Sequence, residues 1–438
     1  MVPRIKKTKV DLPKEGLIDW ASLQCEDYTL ADFVEVYSTD LFEKARGVSA
    51  FVRDYYEKRY YTYCRILMGP AKNRSLIFDR FTQQPKEMIM MGSNNFLGLS
   101  YHPEVIKAGQ QALEKYGSGT GSYLLNGCFD VQRQLEEKLA DMKGTEACIL
   151  FSSGYAANMG TISALVRRHD VAINDRLNHA SIIDGCQLAR CGVEIFRHND
   201  VQNLEEILQG SKGKYDGKLV IVEGVYSMAG DLSPLPQILS LAKKHHARLM
   251  VDDAYGTGIF GANGHGSIEH HGLKGKIDIV MATFNKALGS VGGCICASKH
   301  VVTYIRFFAR SSFFSASPSP VNCAVVLKAI DIMEREPEWR ERLWKNRDYF
   351  VRALRSLGFH LGDTGSPIVS WIIGDDDALR KMSKEIHEEG LYISPIPYPA
   401  VPRDQVLFRM TVMATHTRQD LDEAIETLQK TAKKFKLI

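Results

Sequence analysis

Short apolar runs recur along the middle of the chain, separated by stretches whose apolar residues return every three or four positions. The runs Ala147–Phe151, Val171–Ile173, Val193–Phe196, Leu219–Val222, Ala247–Val251 and Ile277–Met281 have the length and composition of buried strands. Between them, Gln132–Met142 places Leu135, Leu139 and Met142 on one helical face. Leu235–His246 opens with Pro234 and Pro236, which suit a first helical turn. Apolar strands alternating with amphipathic helices predict an α/β domain with a mostly parallel sheet covered on both faces. Beyond about residue 322 the pattern changes to that of a smaller α+β domain. A long helical stretch (Asn322–Leu357) precedes an apolar run at Pro367–Ile373, a helix near Asp376–Glu389 and a β-rich Gln405–Val412. A last helix opens at Thr417, with Asp420 three residues on in capping-box spacing. Phe51–Tyr63 reads as an amphipathic helix. The expected divisions are an N-terminal extension (1–40), an arm (41–90), a large domain (91–321) and a small C-terminal domain (322–438).

Composition narrows the function by exclusion. With 438 residues, 45% hydrophobic and 24% charged, the chain has the balance of an ordinary globular protein of two or three domains. A net charge of +3 with scattered lysines does not describe a nucleic-acid binder, and the basic tip Arg4-Ile5-Lys6-Lys7-Thr8-Lys9 reads as a solvated tail. No run approaches the roughly 18 apolar residues that span a bilayer, and the N-terminus lacks a signal peptide's apolar core. The nine cysteines include no CxxC spacing and read as reduced thiols, so a cytoplasmic protein is expected.

Candidate chemistry collects where the apolar runs end, which is where ligands bind in such sheets. Lys286 lies in Thr283-Phe284-Asn285-Lys286-Ala287-Leu288-Gly289, after the last run and 34 residues beyond Asp252, which follows the fifth. A lysine at the end of a buried strand can form a Schiff base, and a carboxylate on a neighbouring strand end can keep a pyridinium nitrogen protonated. Pyridoxal phosphate (PLP) needs both. Ser152-Ser153-Gly154 follows the first run, Asp175 and His179 the second, and Glu223 and Ser227 the fourth.

These residues carry a family resemblance. The runs Gly92-Ser93-Asn94-Asn95-Phe96-Leu97-Gly98-Leu99, Phe151–Asn158, Asn178–Gly185, Gly224-Val225-Tyr226-Ser227-Met228, Val251–Gly258, the lysine run, and Arg409 followed by Met413-Ala414-Thr415-His416-Thr417 stand in the order found in the α-oxoamine synthases. From about Phe42 onward the chain resembles that family of fold-type-I PLP enzymes, which condense an amino acid with an acyl thioester and lose carbon dioxide. Within it, Leu125-Asn126-Gly127, Asn178–Gly185 and Met413–Thr417 look closest to the serine palmitoyltransferase branch. The resemblance implies Lys286 as the Schiff-base lysine and proton carrier, Asp252 on the pyridinium nitrogen, and His179 stacked on the ring. It implies Ser153, Gly154, Tyr155 and Thr283 at the phosphate, with Ser315 reaching there from a second protomer, so a homodimer is expected. Ser227 and Tyr255 would face the cofactor, and Arg409, with Asn95 nearby, would hold the substrate carboxylate. The acyl donor would be an acyl-coenzyme A or an acyl-carrier protein.

Three positions depart from the family pattern. Tyr255 stands three residues after Asp252, where relatives carry histidine; Tyr123 replaces an arginine near the substrate channel; and Ala229 replaces an aspartate. A specialised branch using another amino acid and a carrier-bound acyl group is the alternative to serine, with an aminotransferase or a catalytically silent subunit further off. Two patterns are set aside. Gly256-Thr257-Gly258-Ile259-Phe260-Gly261 matches a dinucleotide fingerprint, but two aspartates precede it and no helix pattern follows. His265, His270 and His271 lack the spacing of a zinc site, and no metal is expected.

Overall fold

The computed structural model describes residues 20–438 except 35, 37 and 120. The basic tip and most of the N-terminal extension lie outside the described residues. Seven strands form the central sheet: β1 (Ala147–Phe151), β2 (Val171–Asp175), β3 (Gly192–Phe196), β4 (Lys218–Glu223), β5 (Arg248–Asp252), β6 (Ile279–Thr283) and β7 (Gly293–Ala297). Their order is β1-β7-β6-β5-β4-β2-β3, and only β7 runs antiparallel to its neighbours. The α/β, mostly parallel fold expected from the apolar runs is the one found.

Alternate side chains serve opposite faces, as the period of two requires. Val220, Val222, Leu249 and Val251 enter a core with helices Pro103–Tyr116, Asp130–Lys143 and Pro320–Arg335. Leu219, Ile221 and Met250 enter another with helices Gly154–Leu165, Ala180–Ala189 and Lys299–Phe308. Both faces are therefore buried, and the buried polar residues of the strands, Asn174, Asp175, Glu223, Asp252 and Thr283, sit at or next to their carboxyl ends.

Several boundaries differ from expectation for identifiable reasons. The long stretch Asn322–Leu357 is two helices, Pro320–Arg335 and Glu338–Ser356, because Pro337 cannot continue a helix. The first packs Val326, Ala329, Ile330 and Met333 into the large core, so a division at 321/322 cuts into that core's own helix. The arm is not separate either. Its strand Gln84–Met90 pairs in parallel with Leu391–Tyr392, and Ile89 joins the C-terminal core. The expected helix at Phe51–Tyr63 is displaced to Glu43–Glu57, ending where Arg59 turns to φ +62° and the Tyr60 N–H donates to the Tyr55 carbonyl. The C-terminal domain holds the three-stranded sheet Ile368–Ile372, Leu407–Thr411, Ser394–Ile396, backed by helices Glu338–Ser356, Asp376–Glu388 and Arg418–Lys434. Thr417 and Asp420 form the expected capping box.

Candidate active site

A cavity of about 420 Å³ opens at the carboxyl ends of the strands. Glu223 and Asp252, the last residues of β4 and β5, are register partners, and Thr283 ends β6 beside them. The cavity is lined by Ser153, Gly154, Tyr155, His179, Ser227, Asp252, Tyr255, Thr283, Lys286 and Arg409, ten of the twelve residues singled out in the sequence. The other two lie elsewhere. Asn95 turns away and holds its own loop, its amide donating to the Ala71 carbonyl and Ser100 Oγ; Asn94 lines the cavity instead. Ser315 follows the short helix Arg310–Phe313 and does not line the cavity of its own chain.

One end of the cavity suits a phosphate. Ser153 caps helix Gly154–Leu165, its Oγ accepting the Ala156 N–H. Among the described residues the N–H groups of Gly154 and Tyr155 have no hydrogen-bond partner, which leaves a helix N-terminus ready for an anion. Space there is tight. A Cβ at Gly154 would meet Thr283 Oγ1 at 3.0 Å, and one at Gly293 would meet the Gly154 nitrogen at 2.7 Å. The Tyr155 phenol turns outward to Asp184, while its ring edge borders His179.

The floor holds a buried carboxylate that has no cationic partner among the described residues. Asp252 accepts Asn158 Nδ2 at 2.7 Å and the Ala254 N–H at 3.0 Å, and burial pushes its carboxyl up from the ordinary range. Asn158 also donates to Ser181 Oγ, which lies 2.8 Å from His179 Nδ1; the Ser181 N–H donates to that same nitrogen. His179 is thus tied to Asp252 through two side chains, with its ring exposed above the floor. Asp253 is already satisfied. It pairs with the buried Lys143 at 2.8 Å and accepts the Ser267 N–H and hydroxyl. A cationic ring nitrogen arriving in the cavity therefore finds Asp252 available and Asp253 committed, and it would draw the Asp252 pKa back down.

Lys286 enters from the loop after β6. Its Nζ lies 4.6 Å from the centre of the Tyr255 ring, and it forms no ion pair among the described residues. On the opposite side, Arg409 of strand Leu407–Thr411 donates from Nη2 to Asn94 Oδ1 at 2.8 Å and to the Tyr255 phenol at 2.9 Å; its Nε is buried without a partner. Lysine, carboxylate, helix N-terminus and arginine fit PLP bearing an amino-acid substrate, both by charge and by unfilled hydrogen-bonding capacity.

Sequence reasoning gave no role to Asn94, Asn158, Ser181 or Glu223. Asn158 was within reach, since it sits four residues after Gly154 and so on the same helix face. Burial and the neighbouring Asp252 carboxylate raise the Glu223 pKa well above its ordinary value. Tyr123 does not line the cavity. Its buried ring lies between the guanidinium groups of Arg133 and Arg306, at 5.7 and 5.3 Å, so a cation remains beside this loop although the sequence departs from the family there.

Beneath the site, His198 binds Asp175 at 2.9 Å and Asp231 at 2.7 Å, joining the segments that lead to His179 and follow Ser227. Burial lowers its pKa, but the two carboxylates outweigh this and push it up to about 9. A folded pKa above the unfolded value of about 6.5 gives stability that is complete below that value and lost as pH rises through about 9. His198→Gln should remove a contribution on the order of 2 kcal/mol at pH 6 and much less at pH 9.5. Thermal unfolding of both proteins across that range checks it; equal differences at both ends would refute it.

Fold and cavity together define a fold-type-I PLP enzyme. Residues 86–428 match the family model described as aminotransferase class I and II. The chain is 40% identical over 406 residues to 4-hydroxy-2,2'-bipyrrole-5-methanol synthase PigH of a Serratia species, across 92% of this chain; it spans 62% of that protein's length. It is 40% identical over 374 residues to 8-amino-7-oxononanoate synthase of Thermoanaerobacter pseudethanolicus, covering 85% of this chain and 93% of that one. Serine palmitoyltransferase from S. paucimobilis, solved with a bound PLP–myriocin adduct, matches at TM-score 0.86 and 36% identity, covering 91% of this chain and 100% of that one. The chain belongs to the aminotransferase class I and II family and, within it, to the α-oxoamine synthases, PLP-dependent enzymes that join an amino acid to an acyl thioester with loss of carbon dioxide.

Proposed function

We propose that this chain condenses an L-amino acid, L-serine first among the candidates, with an acyl thioester to give an α-amino ketone. The observation that carries this is one cavity holding a lysine, a buried carboxylate and an arginine that, among the described residues, lack an ion pair, a cation and a partner for Nε respectively. PLP bound there supplies an electron sink for negative charge developing at the α-carbon. Lys286 Nζ holds the cofactor and then carries the α-proton, a positioned base worth about 10²- to 10⁴-fold. Asp252 keeps the ring nitrogen protonated. His179, fixed by Ser181, covers the ring. The Gly154 and Tyr155 N–H groups, with Ser153 and Thr283, hold the phosphate; Ser227 borders the ring. Arg409 and Asn94 orient the substrate carboxylate.

Two further readings go with it. We infer a cytoplasmic homodimer in which Ser315 completes the neighbouring protomer's phosphate site. Exposed Phe307, Phe308 and Phe314 near that loop form the apolar surface such an interface would cover. Among the described residues no helix is long and apolar enough to cross a membrane. The acyl group arrives on coenzyme A or on a carrier protein.

Substrate identity is tested by titrating the PLP-loaded protein with each amino acid and following cofactor absorbance, then adding acyl-coenzyme A or acyl-carrier protein and measuring carbon dioxide from the labelled carboxyl group. L-Serine should shift the spectrum at millimolar concentration. Another amino acid doing so in its place would redirect the substrate, whereas no carboxyl loss with any thioester would overturn the condensation.

A further inference from the structure

A second cavity, of about 210 Å³, lies where the N-terminal segment meets the C-terminal domain, and none of its residues lines the cavity at the strand ends. Its wall is apolar and aromatic, built from Leu30, Phe51, Val52, Tyr61, Tyr63 and Pro397. One charge is set into it. Arg380 of helix Asp376–Glu388 lines the cavity and is 5% exposed, with its guanidinium 5.9 Å from the centre of the Tyr55 ring. Its polar contacts, the Tyr28 carbonyl at 2.8 Å from Nη2 and the Tyr55 phenol, are neutral, and among the described residues it forms no ion pair. Asp376, one turn earlier on the same helix, does not supply one. Its Oδ1 accepts the Tyr398 N–H at 3.3 Å, and burial raises its carboxyl pKa. A guanidinium cannot shed its proton when buried, so holding it out of water without an anion costs stability. A wall serving stability alone would do better with an apolar side chain at that position.

We propose that this cavity is a binding site for a small monocarboxylate with an apolar body: the carboxylate pairs with Arg380 and the body fills the aromatic wall. The planar fork of a guanidinium matches a carboxylate with two parallel hydrogen bonds. The Tyr63 phenol, whose pKa burial pushes up to about 12, keeps its proton and borders the same space. Asp376 sits close enough to disfavour an anion of higher charge, such as a phosphate monoester. The site lies apart from the reaction but not from its frame. Strand Ser394–Ile396 pairs Ser394 with Arg409 and leads directly into Pro397 and Tyr398 of this cavity. Leu30 and Phe51, on the facing side, belong to the N-terminal segment. An occupant therefore fastens that segment to the strand beside Arg409, and because the cavity exists only in the folded chain, binding stabilises the fold. The site goes beyond the condensation and does not depend on which amino acid is condensed.

The test measures binding to the PLP-loaded protein. Hexanoate, octanoate, decanoate and phenylpropionate are titrated by calorimetry, with octanol and octyl phosphate as the neutral and the more highly charged counterparts. At least one acid should bind with a Kd below about 1 mM, raise the unfolding temperature and leave the cofactor absorbance unchanged. Octanol and octyl phosphate should bind about tenfold to a hundredfold less tightly than that acid. Arg380→Met, which keeps the length of the side chain without its charge, should weaken the acid by a similar factor. Val52→Trp, which fills the cavity and leaves Arg380 in place, should abolish binding in a protein that still folds and retains PLP. If Arg380→Met does not fold, the comparison with octanol and the Val52→Trp protein decide. The proposal is overturned if no acid binds, if octanol binds as tightly as the acids, or if Val52→Trp leaves the Kd unchanged. A change in cofactor absorbance that accompanies binding would also overturn it, since the acid would then be occupying the Arg409 site.

Discussion

The Lys286→Ala protein is expected to fold, to bind PLP reversibly, and to turn over at least about 10²-fold more slowly than wild type, with no PLP attached covalently after borohydride treatment. Lys286 is half-buried at a cavity wall and forms no ion pair among the described residues, so its loss removes chemistry and little stability. Mass spectrometry after reduction reads the result. A cofactor-sized mass still fixed to the variant would show that another lysine makes the link. Unfolding of the variant would show that the side chain has a structural duty its surroundings do not reveal.

The second large effect is expected at Asp252, and the contrast with its neighbour carries the argument. Asp252→Asn keeps a shape that Asn158 can still meet but removes the charge that a protonated ring nitrogen requires. Each pKa unit by which that nitrogen weakens corresponds to roughly 1.36 kcal/mol. Turnover should fall by two orders of magnitude or more, about 3 kcal/mol, while PLP stays bound. Asp253→Asn should act differently. It leaves Lys143 charged and buried, which costs about 3–5 kcal/mol of stability, and it should lower the unfolding temperature before it lowers the rate per folded molecule. If Asp252→Asn is nearly as active as wild type and Asp253→Asn is stable but inactive, the assignments are reversed.

Much of the large domain was legible because burial on both faces forces near-continuous apolar strands, and such runs stand out. Each of the six runs coincides with a strand to within two residues. β7 was not legible. Its Gly-Cys-Ile-Cys-Ala follows the lysine loop closely, and its antiparallel pairing with both β1 and β6 makes it part of the sheet. Lys286, Asp252 and His179 could be placed at the cavity because each lies at or just past a strand end, where position along the chain translates directly into position in space. Asn94 against Asn95 could not be resolved. Neighbouring residues in a tight turn point in different directions, and the choice depends on Ser100 and Arg409, one five residues away and the other more than three hundred. The membership of helix Pro320–Arg335 was obscured similarly, since its apolar face is helical whichever core receives it.

The bond from Arg409 to Asn94 joins residues 315 positions apart, and Thr411 fastens the same two segments through its N–H to the Met91 carbonyl and its hydroxyl to the Ser93 carbonyl. This gives the site an order of completion during synthesis. Lys286, Asp252, His179 and the Gly154 helix all lie in one stretch that leaves the ribosome well before residue 409. The turn at Asn94, although made earlier still, has no partner until nearly the whole chain has emerged. With the roles proposed above, a nascent chain would shape a place for its cofactor first and acquire the means to read a substrate carboxylate last, so a molecule halted near its end would be one that could hold PLP without yet being able to choose what to do with it.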